Sequence, residues 1–510
     1  METYKEALTK QKSVEAADSE SEKRTKRPLV LASVMLAMFM AAVEATIVST
    51  AMPSIVAEIG GFSKYSWIFS AYLLMNAVTV LIYGKLSDLF GRKPILNIGI
   101  TFFLIGSILC GTASTIEALI FFRIIQGFGA GAVMPIASTI VGDIYTKEER
   151  AKIQGYLSSV WGISAIMGPA LGGMLVEYVS WRFVFWINIP IGLLAMVGVT
   201  LFLHENIQKK KPNIDYIGAL LMFLSISTLM IVLVEGGVHW AWSSAPVITL
   251  LIVSATAFLF FIIQERRANE PMMPFDIWKE RSILIANITS LTTGVMLIGI
   301  SSFLPAFVQA VMEQSPMVAG FTLTTMSIGW PIASTLAGRL LLKIGFRATS
   351  ILGGISLIIG SIIFLTLSGD DGPVHAMGGS FFIGVGMGLS TTSFIVSIQS
   401  TVSWERRGIA TASNMFMRSL GSTVGAALLG GILNGSLQDF IKENGLQNKV
   451  NIDSTNILLD PHGTEQLSEQ TISVLKNGLS LSLHHVYWGV FTFALISFVL
   501  ILLLPSNKRV

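Results

Sequence analysis

The chain has 510 residues, 52% hydrophobic and 13% charged, with a formal net charge of +3. A mean hydropathy of +0.68 excludes folding around an ordinary soluble core, and the slight positive balance gives no reason to expect nucleic-acid binding. Cys110 is the single cysteine, which excludes an intrachain disulfide.

Residues 1–28 are polar and mixed in charge and read as a tail. The apolar span that follows is too long for the core of a cleavable signal, so it reads as an uncleaved first helix. Stretches of about 20 apolar residues, the length that crosses the hydrocarbon layer, begin near Leu29, Trp67, Ile95, Ile116, Ile153, Phe185, Ile217, Val247, Ile283, Phe321, Thr349, Ala376, Ile409 and Val486. They predict about fourteen transmembrane helices, hence an all-α integral membrane protein. Ten-residue alternating segments are missing, which excludes a β-barrel reading. About 27 of the 34 Lys and Arg fall in loops on one side, five on the other and two inside spans. That bias predicts cytoplasmic termini and a multi-pass protein of the cell membrane.

The second span ends in a charged turn, Gly84-Lys85-Leu86-Ser87-Asp88-Leu89-Phe90-Gly91-Arg92-Lys93-Pro94. At an offset of 254, Gly338 to Arg347 repeats its glycine spacing of seven and its basic end. Gly127, Gly129 and Gly131 recur as Gly384, Gly386 and Gly388, Glu149-Arg150 as Glu405-Arg406, and Gly172-Gly173 as Gly430-Gly431. Met52-Pro53 has a looser echo in Leu304-Pro305. An internal repeat joining basic turns to apolar helices points to a secondary transporter built from two similar halves. The expected organisation is a tail (1–28), a six-helix bundle (29–204), two inserted helices (205–282), a second six-helix bundle (283–505) with an external loop at 433–485, and a short tail (506–510).

These residues carry a resemblance to the major facilitator superfamily and, within it, to the fourteen-helix drug:proton antiporters of multidrug efflux type. Gly84 to Pro94 resembles the superfamily's cytoplasmic loop motif, and Arg123-Ile124-Ile125-Gln126-Gly127 its fourth-helix motif. Gly168-Pro169-Ala170-Leu171-Gly172-Gly173 is similar to the fifth-helix motif associated with antiporters. Glu44-Ala45-Thr46-Ile47-Val48 with Ala51-Met52-Pro53 resembles the first-helix motif of the fourteen-helix group, although Glu44 stands where Asp is usual. Trp181-Arg182-Phe183 and Ile187-Asn188-Ile189-Pro190 are also typical of that group. The resemblance implies alternating access between two bundles, with Asp88 and Arg92 locking the outward-facing state.

Glu44 and Arg123 lie deep in apolar spans, where a charge demands a partner or a water-filled cavity. Counted from the external ends, their depths differ by only about 3 Å. In the implied fold the first and fourth helices face one cavity, so the two can meet. A carboxylate that moves between ionised and protonated states can exchange a proton for a substrate. Glu44 is therefore the candidate proton carrier, or shares its site with substrate, and Arg123 tunes it. The alternative is a permanent ion pair pinning two helices. Ser380 occupies the repeat position of Arg123 and no acid matches Glu44, so coupling chemistry is expected in the first half alone.

Asp88 and Arg92 are four residues apart and fit one helical turn at the cytoplasmic mouth, with Asp143 as a candidate partner for Arg92. Gly162, Ala165, Gly168, Pro169 and Gly172 are expected on one close-packing face of the fifth helix, with Gly173 beside them; Gly421 and Gly425 give the thirteenth a similar face. Arg418 is the second cation inside a span and faces either the cavity or the cytoplasmic gate. Glu235, at the outer end of the seventh span, reads as interfacial, with a second substrate site as the alternative. Glu313, Asp370 and Asp371 read as solvated.

The six His lie at span ends or in loops, which speaks against a histidine proton relay. Gly127-Phe128-Gly129-Ala130-Gly131 mimics a dinucleotide turn but sits in an apolar helix with no preceding strand. No phosphate-binding Lys loop suggests an ATP-driven pump, and no His, Cys or acid cluster suggests an enzyme or a metal site. The expected function is proton-coupled export of lipophilic cationic or zwitterionic drugs. The alternatives are export of an endogenous lipid, siderophore or peptide, or proton-coupled uptake. The expected partners are protons, small lipophilic substrates and membrane lipids, with no cofactor and a monomer as the working unit.

Overall fold

A computed structural model describes residues 25–145, 147–205, 215–236, 240–268, 275–402, 407–445, 450, 452–458 and 469–505. Among these, twelve helices are long and apolar enough to cross a membrane. One of them, Pro316–Leu365, breaks at Gly345 and supplies two arms, and Tyr65–Phe90 is a further 26-residue helix. Counted in this way, the long helices number about fourteen, as the hydropathy pattern predicts.

In chain order they are α1 (Arg27–Ile59), α2 (Tyr65–Phe90), α3 (Arg92–Thr112), α4 (Ile116–Ile144) and α5 (Lys147–Tyr178). Next come α6 (Arg182–Phe202, whose first turn Arg182–Trp186 is separate), α7 (Tyr216–Glu235), α8 (Ala245–Arg267) and α9 (Arg281–Ala306). The two arms of Pro316–Leu365 are α10 and α11, followed by α12 (Pro373–Thr401), α13 (Arg407–Glu443) and α14 (Glu469–Leu502). Apolar side chains cover the outside of the assembly: Leu194, Leu220 and Ile252 are each at least 60% exposed. Such a surface suits lipid contact, because helices satisfy their own backbone polar groups.

The sharp turns of the repeated loop need glycine. Gly91 between α2 and α3 has φ 94°, and Gly345 between α10 and α11 has φ 80°, a region in which a side chain is strained. Helix packing repeats as well. Gly127 and Gly131 abut Tyr72 and Asn76 of α2, while Gly384 and Gly388 abut Met326 and Trp330 of α10. Gly129 meets Gly99 and Phe103 of α3, and Gly386 meets Gly353 and Leu357 of α11. Every partner in the second set lies 254 residues after its counterpart in the first. The regular recurrence of glycine in α4 and α12 therefore follows from backbone approach at matched places.

The loops holding residues 60–64 and 179–181 define the side called outer here, following the charge bias of the sequence. The helices of α1–α6 and α9–α14 meet closely at that side. A Cβ on Gly173 of α5 would strike the α10 backbone at Pro316 and Met317, and one on Gly320 would strike the Pro169 carbonyl. Tyr65 donates to the Ser302 carbonyl at 2.7 Å, Gln309 to the Thr50 carbonyl at 3.2 Å, and Asn434 to the Ser63 carbonyl at 2.5 Å. About 16 Å deeper along α5, the space beside Gly162 comes only within 3.8 Å of Pro331. The α5–α10 seam is thus tight at its outer end and less tight at Gly162.

The single face expected for Gly162, Gly168, Pro169 and Gly172 is two faces in the structure. Gly168 and Gly172 receive Thr46, Ile47 and Thr50 of α1, whereas Gly162, Pro169 and Gly173 turn toward α10. At about 100° per residue, steps of four and of seven generate two neighbouring stripes. Ala165 is not among the side chains described.

The two helices between the repeated sets lie beside the other seam. The Trp67 indole of α2 donates to Glu235 at the end of α7 at 3.0 Å. Gly431 of α13 packs against the Leu233 carbonyl of the same helix. α7 therefore touches both sets of helices, while α8 packs behind it as the least buried span. Ile452–Leu458, inside the long outer loop, is a short 3-10 helix whose Asp453 accepts from the Ser63 backbone at 3.0 Å. Glu313 pairs with Lys476 at 2.6 Å, and the exposed Asp371 accepts from the Ser368 N–H at 2.8 Å. That bond holds the Asp371 carboxyl below its usual range.

Candidate functional site

α1 brings Glu44 and α4 brings Arg123 to a direct ion pair in the interior, with side chains 0% and 2% exposed. α1 packs against α4, and the small residues of α4 bring it close to α2 and α3. Arg123 also donates to Gln126 Oε1 at 2.7 Å and to the Ile68 carbonyl at 3.3 Å. Its guanidinium lies 4.0 Å from the centroid of the Tyr72 ring, a desolvated cation–π contact. The second oxygen of Glu44 accepts from Asn188 Nδ2 of α6 at 2.6 Å. Gln126 donates onward to Ser107 at 2.8 Å, and buried Cys110 lies 3.8 Å from Gln126 Oε1.

The network joins five helices (α1–α4 and α6) around one carboxylate, and both its oxygens are engaged. A buried pair is costly unless its remaining donors and acceptors are satisfied. Arg123 meets that requirement through Gln126, Ile68 and Tyr72. Among the described residues, Asn188 Oδ1 is a buried acceptor with no donor.

Gln126 and Gly127, selected with Arg123 from the fourth-helix motif, have distinct tasks: Gln126 extends the network, and Gly127 lets α2 approach. Asn188 and Tyr72 were missed as site residues. Asn188 was legible as a polar residue interrupting the apolar run Phe185 to Leu194, whereas Tyr72 has no sequence signal apart from other buried aromatics. Trp181 and Arg182 have a structural partner at the outer end: both donate to Glu58 at the end of α1, at 2.8 and 2.6 Å.

At the inner mouth Arg92 Nε donates to Asp143 Oδ2 at 3.2 Å, joining the start of α3 to the end of α4. Glu205, also missed, accepts from the backbone N–H groups of Arg92 and Lys93, both at 3.0 Å. A carboxylate there satisfies free donors of the first turn and opposes the helix dipole favourably. The Asp88 side chain, the surroundings of Gly84, and the pairs Glu149-Arg150 and Glu405-Arg406 lie outside what is described. Ser380, at the repeat position of Arg123, is buried. Arg418 of α13 is half-buried and points to Trp330 of α10, 6.0 Å from its centroid.

A helical membrane assembly with an internal repeat and a buried charge pair on its first and fourth helices is that of a secondary transporter. Residues 34–426 match the Major Facilitator Superfamily, and the chain belongs to that family. It is 32% identical to "Multidrug transporter protein MdtP" of Bacillus subtilis (strain 168), over 96% of each chain. It is 35% identical to "Multidrug resistance protein 3" of the same organism, over 92% of this chain and 93% of that one. Among solved structures it superposes on a bacterial homologue of the human lysosomal transporter Spinster, in an inward-facing, unoccupied conformation. The TM-score is 0.68 at 16% identity, over 94% of this chain and 97% of that one, a likeness of fold. Family, fold and relatives together make the chain a multi-pass membrane transporter with an efflux role.

Proposed function

We propose that the chain is a proton-coupled antiporter of the cell membrane, with cytoplasmic termini, that exports lipophilic cationic or zwitterionic drugs by alternating access. The observation that carries this reading is the buried Glu44–Arg123 pair, a carboxylate on α1 whose two states differ in their demands on α4 and α6. Ionised, it takes one hydrogen bond from Arg123 and one from Asn188. Protonated, it loses the attraction of Arg123 and becomes a donor. Rotation of the Asn188 amide then offers Oδ1, the acceptor that otherwise has no donor. Protonation thereby loosens α1 and α6 from α4, while Arg123 keeps Gln126 and Tyr72.

The α5–α10 seam, tight at the outer end and less tight at Gly162, supports a form closed at the outer side. Rocking in the opposite sense needs Gly173 and Gly320 to part, and these contacts involve no side-chain interlock.

The test is gradient-driven exchange in proteoliposomes holding the full chain, with ethidium and proton fluxes followed together. Exchange in the wild type that is lost in Glu44→Gln supports both antiport and the carrier. Ethidium exchange with undiminished proton flux in Glu44→Gln would overturn the role of Glu44. An absence of coupled movement in the wild type would overturn antiport.

A further inference from the structure

Arg418 differs from Arg123 in one respect that matters for substrate. Among the described residues, no carboxylate pairs with Arg418 and no hydrogen bond engages it; its neighbour is the face of Trp330. Its side chain is half-buried, in contrast to the closed Glu44–Arg123 pair. The position is firmly held. Gly294 of α9 lies against the Arg418 carbonyl, Ser422 one turn outward donates to the Gly294 carbonyl at 3.1 Å, and Asn414 one turn inward donates to Ser290 at 2.8 Å. α13 cannot rotate to carry the charge elsewhere without breaking those bonds.

An unpaired guanidinium at this depth is expensive, and intramembrane cations reside where water or a counter-charge reaches them. The repeat position on α5 is Val160, apolar and buried, so the charge is particular to the second set of helices. Trp330 stands at the repeat position of Asn76, one residue before the Pro331 that faces Gly162. The cation and its aromatic neighbour thus lie where the seam begins to loosen.

We propose that Arg418 and Trp330 form the substrate's anion subsite. The guanidinium fork binds a carboxylate or sulfonate in two parallel hydrogen bonds, and the indole packs an aromatic body beside it. Resting on the efflux reading above, this favours the zwitterions within the class proposed there and extends that class to amphiphiles with an anionic group. Purely cationic compounds gain nothing at this subsite.

Two dyes with the same three-ring core test it: carboxyfluorescein, an anion, and rhodamine 123, a cation. Binding to the full chain in phosphatidylcholine nanodiscs is read by fluorescence anisotropy, with fold checked by size-exclusion chromatography and circular dichroism. Arg418→Gln is expected to weaken carboxyfluorescein about tenfold or more, the scale of a lost charge-assisted pair, and to leave rhodamine 123 within about twofold. Arg418→Lys, retaining charge without the fork, recovers part of the loss. Equal carboxyfluorescein affinity in wild type and Arg418→Gln overturns the subsite. So does wild type that binds rhodamine 123 alone, or an Arg418-dependent displacement of dye by phosphatidylglycerol, which would make the ligand a lipid headgroup. Failure of the wild type to bind either dye tells against the drug-efflux reading instead.

Discussion

Asn188 holds the Glu44 oxygen that Arg123 leaves free, with Nδ2 at 2.6 Å, so the carboxylate is clamped from α4 and α6 at once. Asn188→Ala removes a hydrogen bond to a charged group and is expected to cost about 1.5–3 kcal/mol. Asn188→Asp places a second acid against the first and is expected to cost more. Thermal unfolding of the purified full-length variants ranks them; equal midpoints would show that the clamp contributes no stability.

The Glu44–Arg123 pair predicts strong non-additivity. Arg123→Gln strands a buried carboxylate and is expected to cost about 3–5 kcal/mol. The double variant Glu44→Gln with Arg123→Gln is expected to be more stable than Arg123→Gln alone, because the stranded charge disappears with its partner. A double variant no better than the single one would contradict a directly coupled pair.

At the inner mouth the two carboxylates near Arg92 differ in energetic weight. The Asp143 side chain is 54% exposed, and Asp143→Asn is expected to change stability by less than about 1 kcal/mol. Glu205 caps two backbone donors, and Glu205→Ala is expected to cost about 1–2 kcal/mol. Denaturation of both variants in the same detergent decides the ranking. A larger loss for Asp143→Asn would reverse it.

Asp453 bonds the Ser63 backbone and Asn434 the Ser63 carbonyl, fastening the outer loop and α13 to the turn before α2. Asp453→Ala is expected to raise the open population about two- to tenfold, the effect of one hydrogen bond. Ser302→Cys, which keeps the backbone carbonyl that Tyr65 bonds, reports this through its maleimide labelling rate, against the background of one buried native cysteine. An unchanged rate would show that the loop does not fasten the outer side.

The spans were legible because lipid imposes a length and a composition on every crossing, and the repeat because the loop and the α4 glycines are spaced alike in both sets. The meeting of Glu44 and Arg123 was legible from depth and charge, since neither is tolerable alone in an apolar helix. Asn188 stood out only as an amide in an apolar run, and Tyr72 and Glu205 not at all, because their roles depend on which helices become neighbours, and a lone amide, phenol or loop carboxylate does not name its partner. The glycine stripe of α5 was misread for a related reason: spacing defines lines on a helix, but only packing shows that α1 takes one line and α10 the next.

α7 is bonded to α2 through Glu235 and Trp67 and seated on α13 at Gly431, whereas among the described residues no such strap spans the α5–α10 seam. A molecule fastened along one edge opens like a book rather than like a pair of sliding doors. The widest excursion then falls on the α5–α10 side, and an amphiphile arriving from the lipid would meet its entrance there, beside Gly162 and Pro331.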